Sequence, residues 1–172
     1  LASASITGGE LATSGDGVVA VDAATASLSD LTNLGLLEAA NGTNLDLLGT
    51  IVNDGTVRTA ADGAVTGVRL ASASVTLDGT GELVLGGDPT RDRVTGVSFG
   101  NLLVHGTDHV IRGGGRLGTN VIDIENLGLV LADDPAAELS VDPVATVTNL
   151  GTLRAASGSV LQLLGGTYLN AG

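Results

Sequence analysis

An adjacent pair of acids, Asp133 and Asp134, is the first feature of this sequence that could carry out chemistry. Two carboxyl groups can supply the general acid and the general base of glycoside hydrolysis, and His105-Gly106 could stand beside them. Pro135 follows the two acids, and Asp and Pro are also common turn residues. Of these two interpretations, catalytic pair or turn, we favour a turn that opens a strand.

A second group of charges lies in the polar segment Gly86-Gly-Asp-Pro-Thr-Arg-Asp-Arg93. Asp88, Arg91, Asp92 and Arg93 combine acids that suit Ca²⁺ with cations, although their spacing matches no known Ca²⁺ loop. The segment interrupts the apolar pattern on either side of it. We therefore expect a loop that projects from the molecule and could contact a ligand.

The third group contains the only two histidines, His105 and His109, with Asp108 between them. These three side chains could hold a metal ion, since His and Asp are common ligands. The Ca²⁺-binding patterns Asp-x-Asp-x-Asp-Gly and Gly-Gly-x-Gly-x-Asp are absent, and glycines 113–115 are not followed by the Lys-Ser/Thr of a phosphate loop. We expect no metal or other cofactor, and we place these residues in exposed turns that could contact a ligand.

A repeated unit must position these residues, and Val147-Thr-Asn-Leu-Gly-Thr-Leu-Arg-Ala155 is its clearest copy. In this unit an apolar residue stands two positions before an asparagine, and a glycine stands two positions after it. The same pattern begins at Leu31, Ile51 and Ile124, and a partial copy, Tyr168-x-Asn170-x-Gly172, ends the sequence. Repeats of this kind are typical of solenoid proteins.

The spacing of the units predicts the fold. The glycine of each unit, or the residue that replaces it, recurs every 19 to 28 residues, on average about 24, the size of one turn of a three-sided β-solenoid. These markers are Gly9, Gly35, Gly55, Gly81, His109, Gly128 and Gly151. Apolar residues alternate between them, which is typical of strands. The sequence therefore predicts an all-β fold, a parallel β-solenoid of about seven rungs, as a single segment over residues 1–172.

Two inward-facing rows are predicted from this alternation. One contains Leu31, Ile51, Leu77, Ile124 and Val147, and the other contains Leu37, Val57, Leu83, Val130 and Leu153.

The predicted structural corners are Asn33, Asn53, Asn126, Asn149 and Asn170. Asn tolerates left-handed geometry and Gly adopts positive φ without strain, so the Asn-x-Gly triplet should turn a strand sharply. Strict alternation points the Asn side chains inward, where successive amides could bond one another into a ladder. The alternative is that they are solvent-exposed turn residues, and we favour the ladder.

The composition excludes several classes of function. Nineteen acids against seven arginines give a net charge of -12, which repels nucleic acids and anionic membrane surfaces. Cysteine is absent, so there is neither a disulfide nor a thiolate site. No apolar run approaches 18 residues, and the beginning of the chain lacks the basic head of a signal peptide. We therefore expect no membrane insertion and interpret the chain as a fragment of a longer repeat protein.

Four stretches carry a family resemblance: Asp108-His-Val-Ile-Arg-Gly-Gly-Gly-Arg-Leu-Gly118, Ile124-x-Asn-Leu-Gly-Leu-Val-Leu-Ala132, Asn149-Leu-Gly-Thr-Leu-Arg-Ala155 and Leu163-Leu-Gly-Gly-Thr-Tyr-Leu-Asn-Ala-Gly172. They resemble the repeats of large bacterial surface proteins of the filamentous-haemagglutinin and autotransporter-passenger type. This resemblance implies a right-handed parallel β-helix, secretion to the cell surface, and a role in adhesion or matrix building. Such repeats are a scaffold shared by many functions.

The alternative function is enzymatic, because parallel β-helices also include polysaccharide lyases and glycoside hydrolases. In polygalacturonase-like enzymes the paired Asp precedes the His-Gly element and an Arg-x-Lys follows. Here His105-Gly106 precedes Asp133-Asp134, and Lys is missing. Sugar-binding surfaces usually carry aromatic platforms, whereas this chain has one Phe and one Tyr. We therefore predict that the chain is not an enzyme but a structural or adhesive segment.

The two ends of the chain predict its partners. Leu1 to Leu11 and Leu161 to Asn170 are aliphatic, low in charge and strand-like, so their edges should pair with a neighbouring repeat or another copy. Head-to-tail stacking does not close, which predicts filaments. A cell-surface glycan or protein is the further partner that an adhesive role would require.

Overall fold

The computed structural model describes residues 1–171, and within this range every regular element is a β-strand in a parallel ladder. The strands are β1 Ser5–Thr7, β2 Glu10–Leu11, β3 Val19–Val21, β4 Thr25–Asn33, β5 Leu36–Ala39, β6 Asn44–Asn53, β7 Thr56–Thr59, β8 Thr66–Asp78, β9 Glu82–Leu85, β10 Asp92–Gly96, β11 Asn101–His105, β12 Val110–Gly113, β13 Gly115–Leu117, β14 Ile122–Asn126, β15 Leu129–Ala132, β16 Glu138–Val141, β17 Thr146–Asn149, β18 Thr152–Ala155, β19 Val160–Leu163 and β20 Thr167–Asn170.

The strands wind into a β-solenoid with three faces. Each complete turn contributes one strand, or one half of a long strand, to each face. Face 1 contains β1, the first halves of β4, β6 and β8, and then β10, β13, β16 and β19. Face 2 contains β2, the second halves of β4, β6 and β8, and then β11, β14, β17 and β20. Face 3 contains β3, β5, β7, β9, β12, β15 and β18. Seven turns are complete and β19 and β20 begin an eighth, which confirms the predicted solenoid of about seven turns.

The long strands explain why faces 1 and 2 belong to one 13-stranded sheet. β4 pairs with β6 on both sides of a register shift between Ser29 and Leu31, and β6 pairs with β8 on both sides of one between Leu47 and Gly49. Such bulges bend a strand without ending it. The chain therefore turns the corner between faces 1 and 2 while its ladder continues.

The core consists of thin rows of aliphatic side chains stacked from turn to turn. On face 3, Leu37, Val57, Leu83 and Val130 are all at most 1% exposed, with Ile111 between the last two in register. Each such side chain contributes about 1.5–3 kcal/mol when fully buried. Leu153, on the last turn of this face, is only partly buried.

The predicted row on face 2 is not continuous. Leu31, Ile51 and Leu77 stack in register, but Leu77 then pairs with His105, while Ile124 pairs with Leu103. The reason is a longer corner in the fifth turn: four residues separate His105 from β12, whereas two separate Asn126 from β15. The sequence markers concealed this insertion, because they treated His109 as a simple replacement for glycine.

The first marker, Gly9, was also misplaced. Leu11 pairs with Asn33, so the corner between faces 2 and 3 of the first turn lies at Thr13, directly beneath Gly35. Gly9 has a φ of 78° and precedes β2, at the bend between faces 1 and 2. Gly172, the glycine predicted from the partial repeat Tyr168-x-Asn170-x-Gly172, lies outside the described residues.

The corner glycines are required for a reason other than the predicted positive φ. Positive φ is found at other glycines, such as Gly42 and Gly158, but not at Gly55 or Gly151. A Cβ built on Gly55 would overlap the carbonyl oxygen of Gly35 in the preceding turn and lie 2.7 Å from its nitrogen. Glycine is therefore needed because neighbouring turns approach too closely for any side chain.

Gly55→Ala is expected to lower the free energy of unfolding by about 3 kcal/mol, because the backbone of one turn must move away from the next. Gly86→Ala is the matched control, since a Cβ there meets no atom closer than 3.5 Å and its φ is not positive. Urea denaturation followed by circular dichroism measures both variants. Equal stability of the two variants would contradict the close stacking of the corners.

Candidate functional site: a buried polar ladder

The corner asparagines point into the solenoid. Asn33, Asn53, Asn126 and Asn149 are at most 4% exposed. Asn33 Nδ2 donates to Asn53 Oδ1 at 2.7 Å, Asn126 Nδ2 donates to Asn149 Oδ1 at 2.6 Å, and Asn149 Nδ2 donates to Asn170 Oδ1. Asn170 itself is exposed because it lies on the last strand. The asparagines therefore form two ladders, one at each end of the solenoid.

The two ladders are separated by two turns, the fourth and the fifth, that have no asparagine at this corner. Gly79 lies directly over Asn53, and a Cβ on Gly79 would come within 2.5 Å of the Asn53 carbonyl oxygen. With a φ of 103°, Gly79 also holds a backbone conformation that other residues rarely adopt. At this position of the fourth turn, Gly79 therefore contributes no side chain to the ladder.

His109 fills the gap. Its carbonyl oxygen accepts from Leu129 N at 3.2 Å, as the Gly128 carbonyl accepts from Thr152 N, so its backbone occupies the place of a corner glycine. Its side chain turns inward rather than outward. The Nε2 atom lies 2.9 Å from Asn53 Nδ2, and the Nδ1 atom lies 3.1 Å from His105 Nε2.

His105 completes the connection. It occupies the asparagine position of the fifth turn, in register with Asn126, and its Nδ1 lies 2.6 Å from Asn126 Oδ1. The two imidazole rings meet edge to face, with centroids 5.2 Å apart. Both histidines are 0% exposed, so the prediction that they are exposed turn residues was wrong.

The chemistry of the amide groups fixes the tautomer of each histidine. The Asn53 side-chain nitrogen can only donate, so His109 Nε2 accepts and His109 carries its proton on Nδ1. That proton is donated to His105 Nε2, which leaves the proton of His105 on Nδ1 for Asn126 Oδ1. Seven side chains thus form one ladder in which every bond runs in the same direction, from Asn33 to Asn170.

Burial keeps both histidines neutral. Burial, together with the smaller effect of the neighbouring His105 charge, lowers the pKa of His109 to about 3. Burial also lowers the pKa of His105, against the opposing effects of the Asn126 hydrogen bond and the Asp78 charge. All four ring nitrogens are used within the ladder, so neither imidazole has a nitrogen available as a base or a metal ligand.

The polar segment that leads into β10 contains one buried acid and one partly buried ion pair. Asp92 is 0% exposed and accepts from Ala61 N at 3.0 Å and from Gly87 N, and burial raises its pKa. Asp88 forms an ion pair with Arg91 at 3.0 Å. Asp92 therefore anchors the base of the loop and is not accessible to a ligand.

The structure does not bring Asp133 and Asp134 together with His105. Asp133 forms an ion pair with Arg112 at 3.2 Å, and Asp134 accepts from Ala136 N at 2.8 Å, as a turn residue does. His105 is enclosed at the corner between faces 2 and 3. Asp108 is exposed in the turn that precedes β12. Across residues 1–171, no group of three or more His, Asp or Glu side chains is placed to hold a metal ion.

One residue at a surface groove was not among the residues predicted to form a site. Arg116 lines a groove of about 480 Å³ on face 1, and it pairs in register with Arg93 on the adjacent strand. The signal in the sequence is their separation of 23 residues, which is about one turn. Side chains one turn apart stack on the same face of a solenoid.

Comparison with known proteins finds no matching family model, no similar curated protein and no similar solved structure. Over the described part of the chain, no helix has the length and apolar character needed to cross a membrane. The contacts of the residues described above are therefore the basis for assigning a function.

Proposed function

We propose that this chain is a non-catalytic structural segment, a β-solenoid rod that acts as a scaffold or fibre segment of a secreted bacterial surface protein. One observation carries the proposal: the residues best suited to chemistry are engaged in contacts between turns. His109 bonds Asn53 two turns away, and Asp92 bonds the backbone at Ala61 of the preceding corner. Asp133 shares Arg112 with Glu82, which joins three successive turns of face 3.

The net charge of the chain also supports the proposal of an extended, well-solvated rod. The net charge of -12 keeps such a particle soluble and opposes lateral association. The repeats resemble those of adhesins and matrix proteins, which supports an extracellular location and an adhesive role towards a cell-surface glycan or protein. The extracellular location and the adhesive role depend on this resemblance, whereas the structural role depends on the contacts between turns.

The last turn supports association end to end. Leu161 and Leu163 continue the inward row of Leu139 and Val141, yet Leu163 is 48% exposed. β18, β19 and β20 each pair with a strand on one side only. An exposed apolar row bordered by strand edges favours the addition of another parallel turn. We propose that a further turn, of this protein or of a second copy, stacks there, and that stacked copies form filaments.

The 172-residue chain is expected to form filaments at high protein concentration, visible by light scattering and negative-stain electron microscopy. Leu163→Lys should abolish them, because it places a charge in the inward row. Leu169→Lys is the matched control: Leu169 is 53% exposed on the same turn but pairs with outward-facing Thr148. A monomeric wild-type chain whose terminal amides are protected from hydrogen exchange would overturn this part of the proposal.

A further inference from the structure

Two arginines stack side by side on face 1. Arg93 on β10 and Arg116 on β13 are direct partners in the parallel register. Adjacent strands are about 4.8 Å apart, and like charges placed directly opposite each other destabilise a sheet. The fold therefore holds two positive charges together at a cost in stability.

Neither arginine has an acidic partner to offset this cost. Among residues 1–171, no carboxylate lies within 4 Å of the Arg93 or Arg116 guanidinium. The contrast with other arginines is clear, since four are ion-paired: Arg58 with Glu38, Arg69 with Asp46, Arg91 with Asp88, and Arg112 with Glu82 and Asp133. In a chain with nineteen acids, an uncompensated arginine pair is unexpected.

Arg93 also has an unsatisfied donor. Its Nε is buried and makes no hydrogen bond, and burial together with the charge of Arg116 lowers the pKa of Arg93. A buried N–H without a partner costs about 1–3 kcal/mol, and more when the group is charged. An anion bound across the two guanidinium groups would neutralise the pair and remove the like-charge penalty.

The neighbouring groove indicates what kind of ligand would carry the anion. Arg116 lines it together with the uncharged polar side chains Thr119, Ser140 and Gln162. Glu138 and Asp142 also line it, so a second anionic group on the ligand would be repelled there. The groove thus suits a ligand with one anionic group at its Arg116 end, beside Arg93, and uncharged hydroxyl groups elsewhere.

We infer that Arg93 and Arg116 form a binding site for an oxyanion, a carboxylate or a sulfate, carried by a hydroxyl-rich ligand. The planar guanidinium groups match the two oxygens that either anion presents. Such a site would provide the ligand recognition that the proposed adhesive role requires. The inference rests on the proposed function only for the biological source of the ligand. Binding itself does not require filaments, so it is measured on the monomeric Leu163→Lys background as well as on the wild-type chain.

The test is an NMR titration of the arginine Nε–H resonances with sodium sulfate, sodium glucuronate and glucose at low ionic strength. Either anion should shift the Arg93 and Arg116 resonances saturably, and glucose should not. The relative affinities distinguish a free inorganic anion from a sugar acid. Arg116→Gln is expected to weaken binding at least tenfold and Arg116→Lys less, because Lys keeps the charge but loses the paired donors.

Arg154→Gln is the matched control, since Arg154 is an exposed arginine on face 3 and should leave binding unchanged. Without anion, Arg116→Gln should raise the thermal midpoint, because it removes the like-charge repulsion. Sulfate should then raise the midpoint of the wild type and of Arg154→Gln by more than that of Arg116→Gln. Saturation by neither anion, or equal binding by Arg116→Gln, would overturn the inference, as would an equal response to glucose.

Discussion

His109→Ala is expected to lower the free energy of unfolding by about 4 kcal/mol. The substitution leaves one N–H of the Asn53 amide and the His105 Nε2 buried without a partner, while the other Asn53 N–H keeps the Glu82 carbonyl. Each unsatisfied group costs about 1–3 kcal/mol. The volume of the imidazole becomes a cavity beneath Gly79, which adds to the loss. Urea denaturation of the wild type and the variant measures the difference.

Asp108→Ala provides the control for this prediction. Asp108 is the neighbouring residue in the same corner, but its side chain is exposed, so its removal should change stability by less than about 0.5 kcal/mol. If His109→Ala were as mild as Asp108→Ala, the His109 side chain would have to lie in solvent, and the ladder would be interrupted at the fourth turn.

Acidification from pH 7 to pH 5 is expected to destabilise the protein through the two histidines. The folded protein holds both pKa values below the ordinary value of 6.5, that of His109 at about 3. In this pH range the unfolded chain therefore binds protons that the folded chain does not. The contribution of the histidines to the stability is fully present above pH 6.5 and is lost as the pH decreases towards their folded pKa values. Linkage gives about 2 kcal/mol at pH 5 for His109, and His105 acts in the same direction.

The pH effect has to be separated from that of the acidic residues. Asp92, whose pKa is raised, acts in the opposite direction, and neutralising the surface carboxylates reduces repulsion within this acidic chain. The double variant His105→Asn plus His109→Asn removes the contribution of the histidines to the pH dependence and keeps that of the acidic residues. The slope of stability against pH should therefore be steeper for the wild type than for the double variant. Equal slopes would mean that the histidines titrate normally in the folded protein.

Much of the fold could be predicted because it depends on periodic patterns that are visible in the sequence. Alternation of apolar residues predicts strands, and the recurrence of Asn-x-Gly about every 23 residues predicts the turns. The row from Leu37 to Val130 follows directly from the repeat, because each of its predicted members stands two residues after a corner glycine. The inward direction of Asn33 or Asn149 follows from the same alternation, since each stands two residues after a buried apolar side chain.

The remainder could not be predicted because it depends on which residues of different turns face one another. His109 was correctly placed at a corner, but only the register shows that Gly79 lies over Asn53 and leaves a space for an imidazole. The corner glycines were assigned a conformational role because the close approach of one turn to the next is invisible in a single repeat. Arg116 became a candidate only when its register with Arg93 was known.

The continuous ladder through the two histidines is tested most directly by a long-range ¹H–¹⁵N NMR spectrum of the imidazole nitrogens, recorded between pH 7 and pH 5. The structure predicts that His109 remains neutral throughout this range and that the pKa of His105 lies below the ordinary value of 6.5. Each ring should carry its proton on Nδ1 and have an unprotonated Nε2 that accepts a hydrogen bond. Imidazoles that gain a second proton with a midpoint near pH 6.5, or that carry their single proton on Nε2, would contradict it.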